Sequence, residues 1–245
     1  MTKLFSNQSA LILWAGRGVG RAVALALARN EGRVIVSDPD AQALQKLAEL
    51  LKSKDVEIVV LPWHTRSGEA DECAREARRI LEEVRLDTPF LHRIVVALGL
   101  DERFFSGPIS SEETETTRLS RLESLVEACL AELKKQSRPG ALDVFWPSEN
   151  PPEADPNVGN APATEALIRS GLECLRRLAA KAASMGVPMS ILRVCLLEPS
   201  ETTGEGAAKT GNYLRPGEIG EAWAHLASLP KNLVIPEALL APRSK

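Results

Sequence analysis

The residues best placed to do chemistry lie in the turn Trp14-Ala15-Gly16-Arg17-Gly18-Val19-Gly20-Arg21, between the apolar run Ala10 to Leu13 and the apolar stretch AVALALA. Glycines between a strand and a helix allow a tight turn and bring backbone amides close to a pyrophosphate; they also serve simply to pack the helix on the strand. Asp38 follows eighteen residues after Gly20, in Val36-Ser37-Asp38. A carboxylate there would hydrogen-bond ribose hydroxyls and repel a 2′-phosphate, favouring NAD over NADP if a nucleotide binds. Equally, Asp38 before Pro39 and Asp40 can cap the next helix.

Other reactive types are sparse. Tyr213 is the only tyrosine, and four residues on stands Gly217, so no Tyr-x-x-x-Lys exists in the chain. His64, His92 and His225 are scattered with no carboxylate or cysteine at metal-ligand spacing, which reads as structural or surface histidine and no metal site. Cys73, Cys129, Cys174 and Cys195 form no CxxC pair and are expected as buried, reduced thiols.

Apolar runs recur at Ala10 to Leu13, Arg33 to Ser37, Glu57 to Leu61, Arg93 to Leu98, Leu142 to Trp146, Met189 to Leu196 and Leu233 to Ile235, with helical spacing between them. This alternation predicts a single α/β domain over residues 1–245, a Rossmann-like doubly wound parallel sheet of about seven strands with helices on both faces. The proline- and glycine-rich stretches Ser137 to Gly140, Pro147 to Pro162 and Glu198 to Gly217 read as loops. A net charge of -3 with no basic stripe argues against nucleic acid or a membrane surface as partner, and the start carries no signal-peptide pattern, so a cytoplasmic chain is expected.

The segment ALILWAGRGVGRAVALALARNEGRVIVSDPD resembles the opening of classical short-chain dehydrogenases, whose turn runs Thr-Gly-x-x-x-Gly-x-Gly. Gly18 and Gly20 match the last two glycines; Leu13 and Trp14 stand where the family has its threonine and first glycine. The family's cofactor contacts thus correspond to Gly16, Gly18, Gly20 and Asp38, with Trp14 expected to obstruct the phosphate pocket, since indole is too large for close backbone approach. The similarity continues at Ile94 to Gly99, Phe105 to Ile109, Arg193 to Ser200 and Pro216 to Ser228.

Carried onto this chain, the family's catalytic tyrosine falls near Ala161, its lysine near Glu165, its serine near Ser148 and its asparagine near Arg118. The resemblance implies that tyrosine exchanges the proton while lysine lowers its pKa and holds the nicotinamide ribose. No catalytic residue is therefore assigned. Ser148 also reads as an ordinary loop residue or cap, and Tyr213 without a lysine would be a poor acid-base group at neutral pH.

Family members are usually dimers or tetramers. The matching segments, Leu119 to Lys135 and Ala166 to Ala183, carry the stripes Leu122, Leu125, Val126, Cys129, Leu130, Leu133 and Leu167, Ile168, Leu172, Leu175, Leu178, Ala179. Such stripes look wider than one core face needs, or else they pack only on the sheet. The combined expectation is a silent subunit that binds no cofactor itself and joins an active short-chain dehydrogenase paralogue in a heterodimer or heterotetramer, with NAD in that partner. The alternatives are a divergent NAD(H)-dependent oxidoreductase or a ligand-binding, regulatory protein.

Overall fold

The computed structural model describes residues 4–52, 56–64, 70–88, 90–97, 115–148, 162–195, 214–230 and 233–241. Seven strands, β1 (Ser9–Leu13), β2 (Arg33–Ser37), β3 (Ile58–Val60), β4 (Arg93–Val96), β5 (Ala141–Pro147), β6 (Met189–Val194) and β7 (Glu237–Leu240), alternate with helices α1 (Gly18–Arg29), α2 (Ala41–Lys52), α3 (Ala70–Asp87), α4 (Glu115–Lys135), α5 (Pro162–Ser184) and α6 (Pro216–Ala227). Every strand pairing is parallel, in the order β3-β2-β1-β4-β5-β6-β7. This is the doubly wound arrangement that the alternation predicts. Strands with two buried faces need apolar side chains on both, and β1 is buried at all five positions.

The sheet separates two apolar clusters. Leu11, Leu13, Ile35, Ile94, Val96, Val144 and Ile191 face α3, α4 and α5. Ala10, Ile12, Val34, Val36, Val95, Phe145 and Leu192 face α1, α2 and α6. Between the layers Asp143 of β5 accepts from Arg93 of β4 at 2.8 Å and from the indole N–H of Trp223 on α6 at 2.9 Å, while Arg93 also donates to the Ala227 carbonyl at the end of α6.

Two expectations change. The run Leu233 to Ile235 is not a strand; the seventh strand begins at Glu237, where pairing starts with Ile191 N–H donating to the Pro236 carbonyl. The apolar run instead crosses the amino edge of the sheet, with Leu233 and Val234 exposed. The stripes on α4 and α5 are not surplus either. All their residues are buried within the chain except Ala179, which is half-buried. The outer faces of these helices carry cross-helix ion pairs, Arg177–Glu123 at 2.9 Å and Lys181–Glu127.

Candidate functional site

In an open parallel sheet the ligand crevice lies outside the carboxyl ends of the strands, where the strand order reverses. Here that point lies between β1 and β4, and the residues at the two exits are Trp14 and Ala97, whose N–H donates to the Leu13 carbonyl. Trp14 has φ 61°, in the left-handed region that favours glycine. The backbone thus keeps a glycine's shape although glycine is absent. The indole is 9% exposed, belongs to the same cluster as Leu13, Val96 and Ala97, and packs on Trp63 with ring centroids 4.8 Å apart.

The rest of the turn is built as a phosphate-type turn would be. Gly18 has φ 51° and starts α1. A Cβ on Gly20 would collide with the Trp14 carbonyl, so only glycine lets helix and strand approach this closely. What differs is the surroundings. Asp38 is 1% exposed; one carboxylate oxygen accepts the Gly16 N–H at 2.9 Å and the other the Asp40 N–H at 2.7 Å. The helix-capping role offered to Asp38 belongs to Asp40, which accepts the Ala43 N–H and pairs with Arg17 at 2.5 Å. Asp38 thus ties the glycine turn to the start of the segment that leads into α2, one oxygen to each.

Trp63, which sequence reasoning overlooked, is held in place from α3. Glu76, 6% exposed, accepts the His64 N–H at 2.7 Å and pairs with Arg79, whose guanidinium also donates to the Pro62 carbonyl at 2.7 Å. Desolvation opposes ionisation of Glu76, but the hydrogen bonds from Arg79 and His64 outweigh it and hold the carboxyl below its ordinary 4.5. A native pKa below the unfolded one means that Glu76 stabilises fully above the unfolded value and loses this as pH falls through the native value. Between pH ~5 and ~3 the unfolding free energy of the wild type is therefore expected to fall more steeply than that of Glu76→Gln, as read from urea denaturation at each pH. Parallel slopes would show that Glu76 is not bonded in this way.

The remaining positions that are described sit in ion pairs and hydrogen bonds or in the core. Ser148, 8% exposed just past β5, accepts from Arg193 Nη2 at 3.3 Å, and Arg193 Nη1 donates to Glu237 at 2.9 Å. Glu237 is held below its usual range, chiefly by hydrogen bonding to Arg176, with Arg193 adding to the effect. Among the described residues the Ser148 hydroxyl thus faces a cation rather than a base, and a guanidinium takes no proton from a hydroxyl. Glu165 is exposed in the first turn of α5 and pairs with Arg169 at 3.2 Å, where a carboxylate complements the helix dipole. Arg118 is buried on α4. Ala161, Tyr213, Gly99, Ser200 and the segment Phe105 to Ile109 lie outside the described residues.

Trp146 completes the apolar lining. It stands near the end of β5, its indole N–H donates to the Ile168 carbonyl at 2.9 Å, and its ring lies where a Cβ on Gly171 would be. The signal was present in the sequence, because Trp14, Trp63 and Trp146 each follow an apolar run, but only the fold brings them to one edge and one side of the sheet. All four cysteines are buried and none forms a disulfide; burial pushes the Cys73 thiol up to about 12 and raises Cys129 and Cys174 as well, so these three lack the character of a nucleophile. His92 Nδ1 faces the Ser9 N–H at 3.1 Å, a structural contact. Among the described residues no group of three or more His, Cys, Asp or Glu could hold a metal ion, and no helix is long and apolar enough to cross a membrane.

No family model matches the chain. A segment of 88 residues, 36% of the chain, is 33% identical to cyclohexanol dehydrogenase of Acinetobacter sp. (strain SE19) and spans about a third (32%) of that enzyme's length. Solved structures match over far more. An alcohol dehydrogenase from the archaeon Thermococcus sibiricus, complexed with 5-hydroxy-NADP, superposes with a TM-score of 0.71 at 22% identity, over 97% of this chain and 99% of that one. A metagenomic short-chain oxidoreductase in complex with NADP gives 0.64 at 18% identity, over 98% and 100%. Hydroxysteroid dehydrogenase from Escherichia coli gives 0.71 at 15% identity, over 97% and 96%. With the strand order and the glycine turn at its switch point, these matches give the chain the fold of the short-chain dehydrogenases.

Proposed function

We propose that this chain is a catalytically silent subunit that assembles with and stabilises an active, NAD-dependent short-chain dehydrogenase paralogue. The observation that carries the reading is the buried Trp14–Trp63 pair at the switch point, in a chain with no Tyr-x-x-x-Lys. In this reading the chain holds no cofactor and NAD sits in the partner. It resembles the silent subunit of heteromeric members such as 2-(hydroxybenzyl)succinyl-CoA dehydrogenase of anaerobic toluene breakdown, which makes a hydroxyacyl-CoA the partner's substrate class.

The partner's contact on α4 and α5, at residues 119–135 and 166–183, uses their outer faces, where Glu123, Glu127, Arg177 and Lys181 lie. Such a contact weakens as salt rises. Purification from native extract at low salt is expected to bring down an intact Tyr-x-x-x-Lys chain, and calorimetry of the isolated chain with NAD or NADH to show no heat of binding at millimolar cofactor. Recovery of this chain from extract without any such partner would overturn the reading. Nucleotide binding by the isolated chain would favour the divergent oxidoreductase instead, for which the surviving Gly18 and Gly20 speak.

A further inference from the structure

At the amino ends of the strands, on the opposite edge from the switch point, lies a cavity of about 660 Å³. Leu192 of β6, Leu226 and Leu229 around the carboxyl end of α6, Pro188 and Phe90 give it apolar walls. Arg93, Asp143 and Ser190 line it as well. Asp143 is 3% exposed, and its Oδ2 is engaged twice, by Arg93 Nη1 at 2.8 Å and by the Trp223 indole N–H at 2.9 Å. Oδ1 has no hydrogen-bond partner among the described residues. Ser190 is half-buried and stands beside Asp143 in the register of β5 and β6, on the same face, and its hydroxyl has no partner among the described residues either.

A buried carboxylate oxygen without a donor carries a desolvation penalty, which a ligand N–H or O–H at that place relieves. The charge of that ligand follows from the neighbours. The Arg93 guanidinium already offsets the carboxylate and would repel an ammonium, while Oδ1 itself would repel an anion. Arg138, also on the lining, is exposed, so its pull on an anion is screened by solvent. A neutral head group remains. Adjacent strands lie about 4.8 Å apart, which sets Oδ1 and the Ser190 hydroxyl side by side as an acceptor and a donor. A primary carboxamide meets both at once, its N–H donating to Asp143 and its C=O accepting from Ser190, and the apolar walls take an aromatic or aliphatic body behind it.

The geometry points to a binding site for a neutral primary carboxamide on an apolar body, held between Asp143 Oδ1 and the Ser190 hydroxyl. The site is distinct from the switch point and does not rest on the proposed function. Ligand-observed NMR titration of the full chain with benzamide, benzoate and benzylamine is expected to give benzamide a Kd on the order of millimolar and the two charged probes values roughly tenfold or more weaker. Ser190→Ala removes one hydrogen bond and is expected to weaken benzamide about fivefold; Ala141→Phe, which fills the cavity from β5, is expected to abolish its binding. Asp143→Asn is expected to reverse the preference. The amide oxygen takes the place of Oδ2, facing two donors, so an N–H replaces Oδ1 and benzoate becomes the better ligand. A wild type that does not bind benzamide, or that binds either charged probe as tightly, would overturn the inference. So would a benzamide affinity unchanged by Ser190→Ala or Ala141→Phe, or an Asp143→Asn chain that still prefers benzamide. Far-UV circular dichroism checks that each variant folds, and if either of the larger changes prevents folding, Ser190→Ala at its half-buried position decides the matter. Neither partner capture nor calorimetry with NAD reads this cavity, so failure here leaves the subunit role standing, and the reverse holds.

Discussion

Trp14→Ala is expected to lose roughly 3–5 kcal/mol of stability, the usual cost of emptying a buried aromatic site, and Trp14→Gly about 1 kcal/mol less. That order reverses the ordinary preference, in which alanine is the less costly residue outside special turns. It follows from the φ of 61°, which costs an L-residue roughly 1–2 kcal/mol and glycine almost nothing. Urea denaturation of the two variants measures the difference directly. If alanine proves the more stable, Trp14 does not occupy the left-handed region, and the reading of it as a side chain grafted onto a glycine's backbone fails. Neither variant is expected to reduce a carbonyl with NADH, because opening the crevice supplies no tyrosine with a lysine four residues on.

The second large effect lies at the other end of the strands. Asp143→Ala removes the partner of Arg93, whose side chain is 19% exposed and bonded at 2.8 Å to a carboxylate that is itself 4% exposed. Breaking a buried pair by removing one member typically costs about 3–5 kcal/mol, because the remaining charge keeps its desolvation penalty without its counter-charge; the Ala227 carbonyl, which still accepts from Arg93, places the expected loss at the lower end. Asp143→Ala also strands the Trp223 N–H, which ties α6 to β5. Arg93→Met combined with Asp143→Leu is expected to recover most of the loss, since the two apolar side chains replace the pair in similar volume. A thermal or urea-based double-mutant cycle reads the coupling. A double variant no more stable than Asp143→Ala would show that the carboxylate acts through the indole and not through Arg93.

Much of the fold was legible because strands buried on two faces must be apolar throughout and must alternate with helices. Six strand runs, the α1 turn and the long α4 and α5 helices follow from that pattern alone. Leu233 to Ile235 misled because an apolar run reads as a strand wherever it falls, whereas pairing with β6 begins only at Pro236 and Glu237. The stripes on α4 and α5 misled in the opposite sense. Each helix packs on the sheet and also against a neighbouring helix, α3 against α4 and α4 against α5, so a wide apolar face is satisfied inside one chain.

For the candidate site the division is sharper. The absence of a tyrosine-lysine pair is a property of composition and spacing, and no tertiary arrangement can supply a helical turn with those residues. The presence of Trp14 at a glycine position is likewise read from the chain. Its consequence is not, because an indole can point to solvent or to the core. The fold decides this by bringing Trp63 from the far side of β2, held through Glu76 and Arg79, against Trp14 at the end of β1. Asp38 shows the same split: its position after β2 is visible in sequence, but its bonds to Gly16 and Asp40 arise only when turn and strand end meet. Residue types and spacing determine that the chain carries no Tyr-x-x-x-Lys. Contacts between strand ends distant in sequence determine what packs at the switch point of the sheet.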